Sequence, residues 1–288
     1  MTRVVVTGSE GLLGRQVVAA LRADGADVVQ VDIAGRDHGD GFVAIDLRSA
    51  DAVAALLPAC DVLVHCAARP SVESGPDATV WIENVQTATN VMLRAETLGV
   101  PRLVFASSQS ALGLATAPEV ITPDYLPVDE DHPCRPRDGY SLSKLTGEEF
   151  AAMVARRSGM AVRCLRFPVI WNAERYRQCI ANRLNRPQQG AKSLWAYVDL
   201  RDAAEAVRLA ALLPGVTGYD ILNITAARPF ADRPVSDLIE EWFPGIGDVR
   251  APLEPQTPLF DPVRATARLG FRARYAWTPE GVGDIGGA

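Results

Sequence analysis

Arg3-Val4-Val5-Val6-Thr7-Gly8-Ser9-Glu10-Gly11-Leu12-Leu13-Gly14 stands near the start of the chain. Its first residues are β-branched and read as a buried strand, Arg3–Val6. Three glycines follow at a spacing of three, and Leu13–Ala23 then reads as a helix. A strand, a glycine turn and a helix form the context a pyrophosphate needs. Glycine lets the turn close and lets the backbone approach the phosphates. The helix N-terminus offers free N–H groups and a partial positive charge. An ordinary glycine-rich turn looks the same, so the loop alone does not decide.

The next strand narrows the choice. Asp27–Val31 is strand-like and ends at Asp32, eighteen residues after Gly14. The carboxylate that binds an adenosine ribose is expected about 20 residues on. Such a carboxylate accepts hydrogen bonds from the ribose hydroxyls and repels a 2′-phosphate. NAD is therefore expected as cofactor, with NADP less favoured. Arg36 softens that preference, and a solvated strand-end carboxylate is the alternative for Asp32.

Farther along, Tyr140 is followed four residues later by Lys144. The chain has six tyrosines, and of its 29 basic residues only Lys144 and Lys192 are lysines. That composition yields a Tyr-x-x-x-Lys by accident about 0.04 times. If Tyr140–Ser158 is a helix, the two side chains share a face. The ammonium then stabilises the phenolate of a tyrosine whose ordinary pKa is about 10. A tyrosine so tuned acts as a general base or acid near neutral pH. A surface i,i+4 pair is the bland alternative. A third partner is available in Ser107-Ser108, at the end of the apolar run from Leu103. Serines at the carboxyl end of a parallel strand face the ligand crevice. Taken alone, two serines after a strand are more often a turn or a helix cap.

Strands and helices alternate. Strands are expected at Arg3–Val6, Asp27–Val31, Phe42–Ile45, Val62–His65, Leu103–Ser107 and Val162–Arg166, and helices at Leu13–Ala23, Ala50–Leu57, Val80–Leu98 and Tyr140–Ser158. This is the pattern of an α/β protein with a Rossmann-type, doubly wound parallel sheet. The expected dinucleotide-binding domain is 1–165 plus about 196–224, returning to the main sheet through Ala196–Leu213 and Tyr219–Ile224. A small C-terminal substrate lobe is expected from 166–195 plus 225–288, with fraying from Gly281 onward. The proline-rich, acidic stretch Gly113–Gly139 reads as a loop. It is either a wall or lid of the pocket, or a surface excursion.

Together these residues resemble the extended short-chain dehydrogenase/reductase family, also called the NAD-dependent epimerase/dehydratase family, over most of the chain. The motif Thr7-Gly8-x-x-Gly11-Leu12-Leu13-Gly14 looks like its cofactor loop, and Asp46-Leu47 like its adenine-contacting pair. His65-Cys66-Ala67-Ala68 sits where the family has an apolar strand end over the cofactor. Asn84 matches its structural asparagine. Phe105-Ala106-Ser107-Ser108 with Gly113 resembles its serine segment, in a register that puts the catalytic hydroxyl at Ser108. Tyr140-Ser141-Leu142-Ser143-Lys144 matches its active-site motif, and Tyr197 to Ala206 its late strand-to-helix segment.

The resemblance implies cofactor contacts from Gly8, Gly11, Leu12, Leu13, Gly14, Asp32, Asp46, Leu47, Cys66, Ala67, Ala68, Asn84, Tyr140, Lys144 and Phe167. It implies substrate contacts from Arg69, Ser108, Gln109, Ser110 and Arg177. Members acting on nucleotide-diphosphate sugars usually carry asparagine three residues after the arginine that here is Arg166; Val169 stands there. The usual Tyr-Gly-Pro is replaced by Trp171-Asn172-Ala173. A branch similar in length, the uronate dehydrogenases, carries Asn-Tyr-Arg at this point. Glu174-Arg175-Tyr176-Arg177 is the counterpart, and Arg177 would grip a substrate carboxylate, with Arg175 as its neighbour. Helices such as Val80–Leu98 and Tyr140–Ser158 pair across a two-fold axis in this family, so a homodimer is expected, with a monomer as the alternative.

Composition fits an ordinary globular enzyme. The 288 residues are 48% apolar and 22% charged, with net charge −6 and pI near 5.2. That balance argues against an unaided nucleic-acid surface. No apolar run is long enough for a membrane span, and no signal peptide is read before the first strand. Five scattered cysteines and three separated histidines show neither a disulfide framework nor metal spacing, so the cytoplasm is the expected home and no metal is expected. Three functions compete. One is a NAD-dependent dehydrogenase of a free sugar, sugar acid or polyol, of which a ketoreductase is the reverse. The second is a nucleotide-sugar epimerase or dehydratase. The third is a non-catalytic NAD(H) sensor.

Overall fold

A computed structural model describes residues 1–33, 41–184, 187–278 and 281–284, with backbone alone for 179–184, 187, 281, 282 and 284. Arg36 lies outside the described residues. In chain order the elements are β1 (Arg3–Thr7), α1 (Leu12–Ala23), β2 (Asp27–Asp32), β3 (Phe42–Ala44), α2 (Ala50–Leu56), β4 (Val62–His65), α3 (Asp77–Thr97), β5 (Arg102–Ser108), α4 (Gly139–Ser158) and β6 (Ala161–Phe167). They continue as β7 (Val169–Trp171), α5 (Ala173–Leu184), α6 (Pro187–Lys192), β8 (Tyr197–Asp199), α7 (Leu200–Leu212), β9 (Tyr219–Asn223), α8 (Val235–Trp242), α9 (Val263–Leu269), β10 (Tyr275–Thr278) and β11 (Gly281–Asp284).

Seven strands form one sheet in the order β3-β2-β1-β4-β5-β6-β9. Strand β1 runs parallel to both β2 and β4, and β5 parallel to β4. The strand order reverses direction between β1 and β4. In open α/β sheets that switch point opens the ligand crevice beyond the carboxyl ends of the strands. The strands read as unbroken apolar runs because both faces are covered: Val4, Val5 and Val6 are all fully buried. Val5, Leu63, Leu103 and Val162 pack with Val91, Met92, Ala151 and Val154 of α3 and α4. Alternate residues such as Val4 and Val6 face the other way. Helices α1 and α7 are tied together by Arg208 and Asp24 at 2.6 Å. The Rossmann-type α/β expectation is therefore borne out.

Contacts divide the chain into two compact units. The first is Met1–Ser107, Asp138–Leu165 and Ala204–Ile221; the second is Ser108–Arg137, Arg166–Ala203 and Leu222–Ala288. Within the second unit, the proline-rich stretch after Gly113 is not a loose surface excursion. Leu114, Leu126 and Val128 bury themselves against Leu238, Phe243 and Phe260. Arg135 donates its backbone N–H to the Leu112 carbonyl at 3.1 Å. A second core there stacks Trp171 on Tyr197, ring centroids 4.8 Å apart, with Phe230 edge-on to Trp171.

Two expectations need correction. Ala196–Leu213 does not return whole to the main sheet: its strand, β8, pairs in parallel with β7 in a separate two-stranded sheet. Pro168 breaks the run between β6 and β7, since proline cannot donate to a ladder. The Trp171–Tyr197 stack then joins β7 to β8. Gly281–Asp284 is also not frayed, because it pairs antiparallel with Tyr275–Thr278; residues 285–288 of the expected frayed tail lie outside the described residues.

Candidate active site

At the end of β1 the chain turns through Gly8, whose φ is +69°, a left-handed conformation that side chains resist. A Cβ there would lie 2.5 Å from the Ala67 backbone nitrogen. The turn can therefore lie flat against the Cys66–Ala67 segment that leaves β4. A Cβ on Gly14 would meet the Gly8 carbonyl oxygen at 2.0 Å, so the third glycine lets α1 approach the turn. Gly11 differs. It is exposed, its φ of −71° suits any residue, and a Cβ would meet only the Gly8 oxygen, at 3.2 Å. The fold itself needs Gly8 and Gly14, whereas Gly11 keeps space open on the outer side. Gly11 caps α1 with no side-chain hydrogen bond, and Leu12 and Leu13 begin the helix.

Asp32 closes this loop from β2. Its Oδ2 accepts the Glu10 N–H at 2.9 Å and its Oδ1 the Ile33 N–H at 2.8 Å. Such a cradle, with open glycine backbone, an uncapped helix start and a strand-end carboxylate, fits a dinucleotide's pyrophosphate and ribose.

The neighbouring segments are ordered by polar contacts within the first unit. Both carboxylate oxygens of Asp46 accept from Arg48, at 2.9 and 2.8 Å, and that guanidinium holds the Asp46 carboxyl below the usual range. Leu47 is buried in the sheet's core. Asn84 accepts the Arg69 N–H at 2.7 Å and donates to Ser143 Oγ at 3.1 Å, tying α3 both to the chain beyond Ala68 and to α4. The Arg69 guanidinium is engaged by Glu83 and by the Ser74 carbonyl, each at 2.7 Å. Beside Cys66, the buried His65 shares a 2.7 Å hydrogen bond with Thr7 Oγ1 and stacks on Phe105. Burial, aided by the Lys144 charge, pulls His65 down to about 3, so the ring is neutral. Burial pushes the Cys66 thiol up to about 12.

Helix α4 carries Tyr140 and Lys144. Asp138 caps it by accepting the Ser141 N–H at 2.8 Å, which fixes where Tyr140 leaves the first turn. Lys144 is buried, and its Nζ donates to the Ala106 carbonyl at 2.8 Å. The ammonium lies 5.8 Å from the centre of the Tyr140 ring and 5.3 Å from that of Phe105. Burial draws Lys144 down to about 8, opposed by its neighbours Cys66 and Glu148, in that order. Glu148 is fully buried and accepts from Ser107 Oγ at 2.5 Å. Sequence reasoning passed over Glu148; the signal was its i+4 spacing from Lys144.

The other expected residues belong to the second unit. Ser108 ends β5, and its Oγ accepts the Ser110 N–H at 3.1 Å, so it also acts as the cap that serine pairs often provide. Gln109 is buried and donates to the Ser193 carbonyl at 3.0 Å; Ser110 is half-buried. Phe167 is buried at the end of β6. Arg177 is exposed on α5, with its Nε donating to the Ala173 carbonyl at 3.3 Å. Among the described residues no cluster of three metal-ligating side chains occurs, and no helix is long and apolar enough to cross a membrane.

Several known proteins are similar to this chain. L-arabinose 1-dehydrogenase (NAD(P)(+)) of Haloferax volcanii is 33% identical over 62% of this chain and 71% of its own length. A putative UDP-glucose 4-epimerase of Methanocaldococcus jannaschii is 29% identical over 58% of this chain and 56% of its own. Uronate dehydrogenase of Agrobacterium fabrum is 33% identical over 58% and 60%. The match thus spans less than two thirds of the latter two relatives. Among solved structures, a short-chain dehydrogenase/reductase superfamily protein from Agrobacterium tumefaciens with bound NAD is similar at TM-score 0.70 and 25% identity, covering 96% of this chain and 93% of that one. The profile of the NAD dependent epimerase/dehydratase family matches residues 4–224, and the chain belongs to that family.

Proposed function

We propose that this protein is a NAD-dependent dehydrogenase that oxidises a free sugar or sugar acid at a carbinol carbon. The observation that carries the reading is the buried Lys144 ammonium, anchored on Ala106 one helical turn from Tyr140. A binding module or sensor has no need of a buried cation beside a phenol. The dehydrogenase relatives, one of which is an L-arabinose 1-dehydrogenase, support a free sugar as substrate.

Bound NAD would supply the acceptor for the hydride. The residues of the chain do the rest. Gly8, Gly11 and Gly14 would receive the pyrophosphate, and Asp32 the ribose hydroxyls, which disfavours NADP. Asp46, Leu47, Cys66, Ala67, Ala68, Asn84 and Phe167 would complete the cofactor's surroundings. Tyr140 would take the proton from the substrate hydroxyl, and its phenolate is favoured by the Lys144 charge. Ser108 would hydrogen-bond the substrate oxygen. Arg69, Gln109 and Ser110 stand as further substrate contacts, and Arg177 as the clamp for a carboxylate. Trp81, Ile82 and Leu142 are exposed on α3 and α4, which supports a homodimer formed through these helices.

The test offers purified protein and NAD a panel of free aldoses and uronic acids, with NADP in parallel. The expected result is NADH formation with NAD in preference to NADP. Signal with a uronic acid that Arg177→Ala abolishes would establish the carboxylate clamp. The second reading, a nucleotide-sugar epimerase, draws support from the UDP-glucose 4-epimerase relatives. It requires isomerised nucleotide sugar without net NADH. Val169 stands against it, at the position where such enzymes usually carry asparagine.

A further inference from the structure

Tyr140, Lys144 and Glu148 follow one another at successive i,i+4 steps along α4 and so share a face. Two of the three reach the same strand end. Lys144 Nζ holds the Ala106 carbonyl at 2.8 Å, and Glu148 Oε1 holds the Ser107 hydroxyl at 2.5 Å. The helix lies close enough for this because residue 147 is glycine. A Cβ there would come within 2.6 Å of the Phe105 ring. The backbone carbonyl of Glu148 is itself fixed by the Tyr219 hydroxyl at 3.1 Å.

The surroundings make the carboxylate's charge matter. The groups facing Lys144 are His65 and Cys66 beyond β4, Phe105 and Ala106 of β5, and Tyr140 and Glu148 of α4. His65 is neutral and its presence near the ammonium adds no negative charge. The Cys66 thiol is protonated at neutral pH. The Ser107 hydroxyl of β5 donates to the Glu148 carboxylate, and the Tyr219 hydroxyl of β9 to its backbone carbonyl. A carboxylate on the adjacent turn favours the charged form of a buried ammonium where water does so poorly.

We propose that Glu148 is a positioning residue: its carboxylate keeps Lys144 protonated and ties Ser107, so that α4 presents a charged ammonium beside Tyr140. The consequence for turnover rests on the dehydrogenase reading above; the consequence for Lys144 does not. With burial already lowering Lys144 to about 8, loss of the opposing carboxylate charge would leave part of the population neutral near pH 7. A neutral amine would no longer favour the phenolate.

The presence of only two lysines makes this directly measurable. Full-length protein carrying lysine labelled with carbon-13 at Cε gives two NMR resonances, assigned by Lys192→Arg. Glu148→Gln preserves the shape and a hydrogen-bond acceptor for Ser107 while removing the charge. The titration midpoint of Lys144 is expected to fall by about one pH unit in Glu148→Gln. Lys192 should not move, and Glu148→Asp should recover most of the wild-type midpoint. An unmoved Lys144 midpoint in Glu148→Gln overturns the proposal. So does an equal fall in Glu148→Asp, which would trace the effect to packing. If Glu148→Gln does not fold, the Asp variant and Ser107→Ala decide: the proposal requires a midpoint near wild type in the first and a small fall in the second. On any sugar that is oxidised, the alkaline limb of the kcat profile should move down with the NMR midpoint. A shifted midpoint in a protein that oxidises no sugar would leave Glu148's role standing and remove the dehydrogenase reading instead.

Discussion

Tyr140 has one task in this account, to exchange a proton with the substrate oxygen. Tyr140→Phe removes the ionisable hydroxyl and keeps the ring beside Lys144. Turnover should drop by about 10²–10⁴-fold, the usual worth of a positioned general base. Circular dichroism and cofactor affinity should change little, and near-normal turnover would contradict the role. His65 supplies a second test at this scale. It is neutral in the fold, with a pKa near 3, but binds a proton below about 6.5 once unfolded. The unfolded chain therefore holds more protons between those values, and stability falls as pH drops from about 6.5 toward 3. His65→Gln removes that dependence. The stability gap between wild type and variant, read by urea unfolding, should narrow from pH 7 to pH 4. A gap that stays constant would show that the ring is not held neutral. Residues of this kind were unevenly legible in the sequence. Tyr140 and Lys144 stood out because lysine is scarce, whereas Glu148 was one acid among 35 acidic residues and showed its place only once α4 lay against β5.

The strands and helices expected up to Arg166 were read from the sequence with small errors of boundary. Fully buried strands such as β1 and β4 give unbroken valine and leucine runs, and α4 carries clear start and stop signals in Asp138 and Gly159. Strand β8 was misplaced because three residues of Tyr-Val-Asp fit a main sheet as well as a two-stranded one, and only the Trp171–Tyr197 stack distinguishes them. The glycine loop makes a sharp prediction about division of labour. Gly14→Ala puts a methyl group against backbone at 2.0 Å and should destabilise the fold by about 3 kcal/mol. Gly11→Ala meets little and should alter stability by less than about 0.5 kcal/mol, while weakening NAD binding by roughly tenfold. Thermal unfolding and NAD titration of both variants check this. Equal destabilisation by the two would contradict the assignment of Gly11 to the ligand side.

At the scale of the whole molecule, the alternation of strands and helices announced the sheet, but the second unit was hardly legible. Its core is assembled from segments far apart in the chain, as where Leu126 and Val128 meet Phe243 and Phe260, and no local period marks such pairings. The proposed substrate contacts Ser108, Gln109, Ser110 and Arg177 fall in that unit, and on this proposal the sequence carried the cofactor chemistry further than the substrate. The exposed Trp81, Ile82 and Leu142 lead to a whole-molecule expectation: sedimentation should give a dimer, and Trp81→Asp should shift it toward monomer. A wild-type monomer at micromolar concentration would contradict it.

The central claim is net oxidation of a free sugar with release of reduced cofactor. The most direct measurement is to incubate the enzyme and NAD with aldoses and uronic acids deuterated at C1, and to analyse nicotinamide and sugar by mass spectrometry. The expected result is deuterium in the released reduced cofactor, one atom per sugar oxidised, and none with Tyr140→Phe. Unlabelled cofactor with every free sugar, together with isomerisation of a nucleotide sugar that gives no net NADH, would contradict the account.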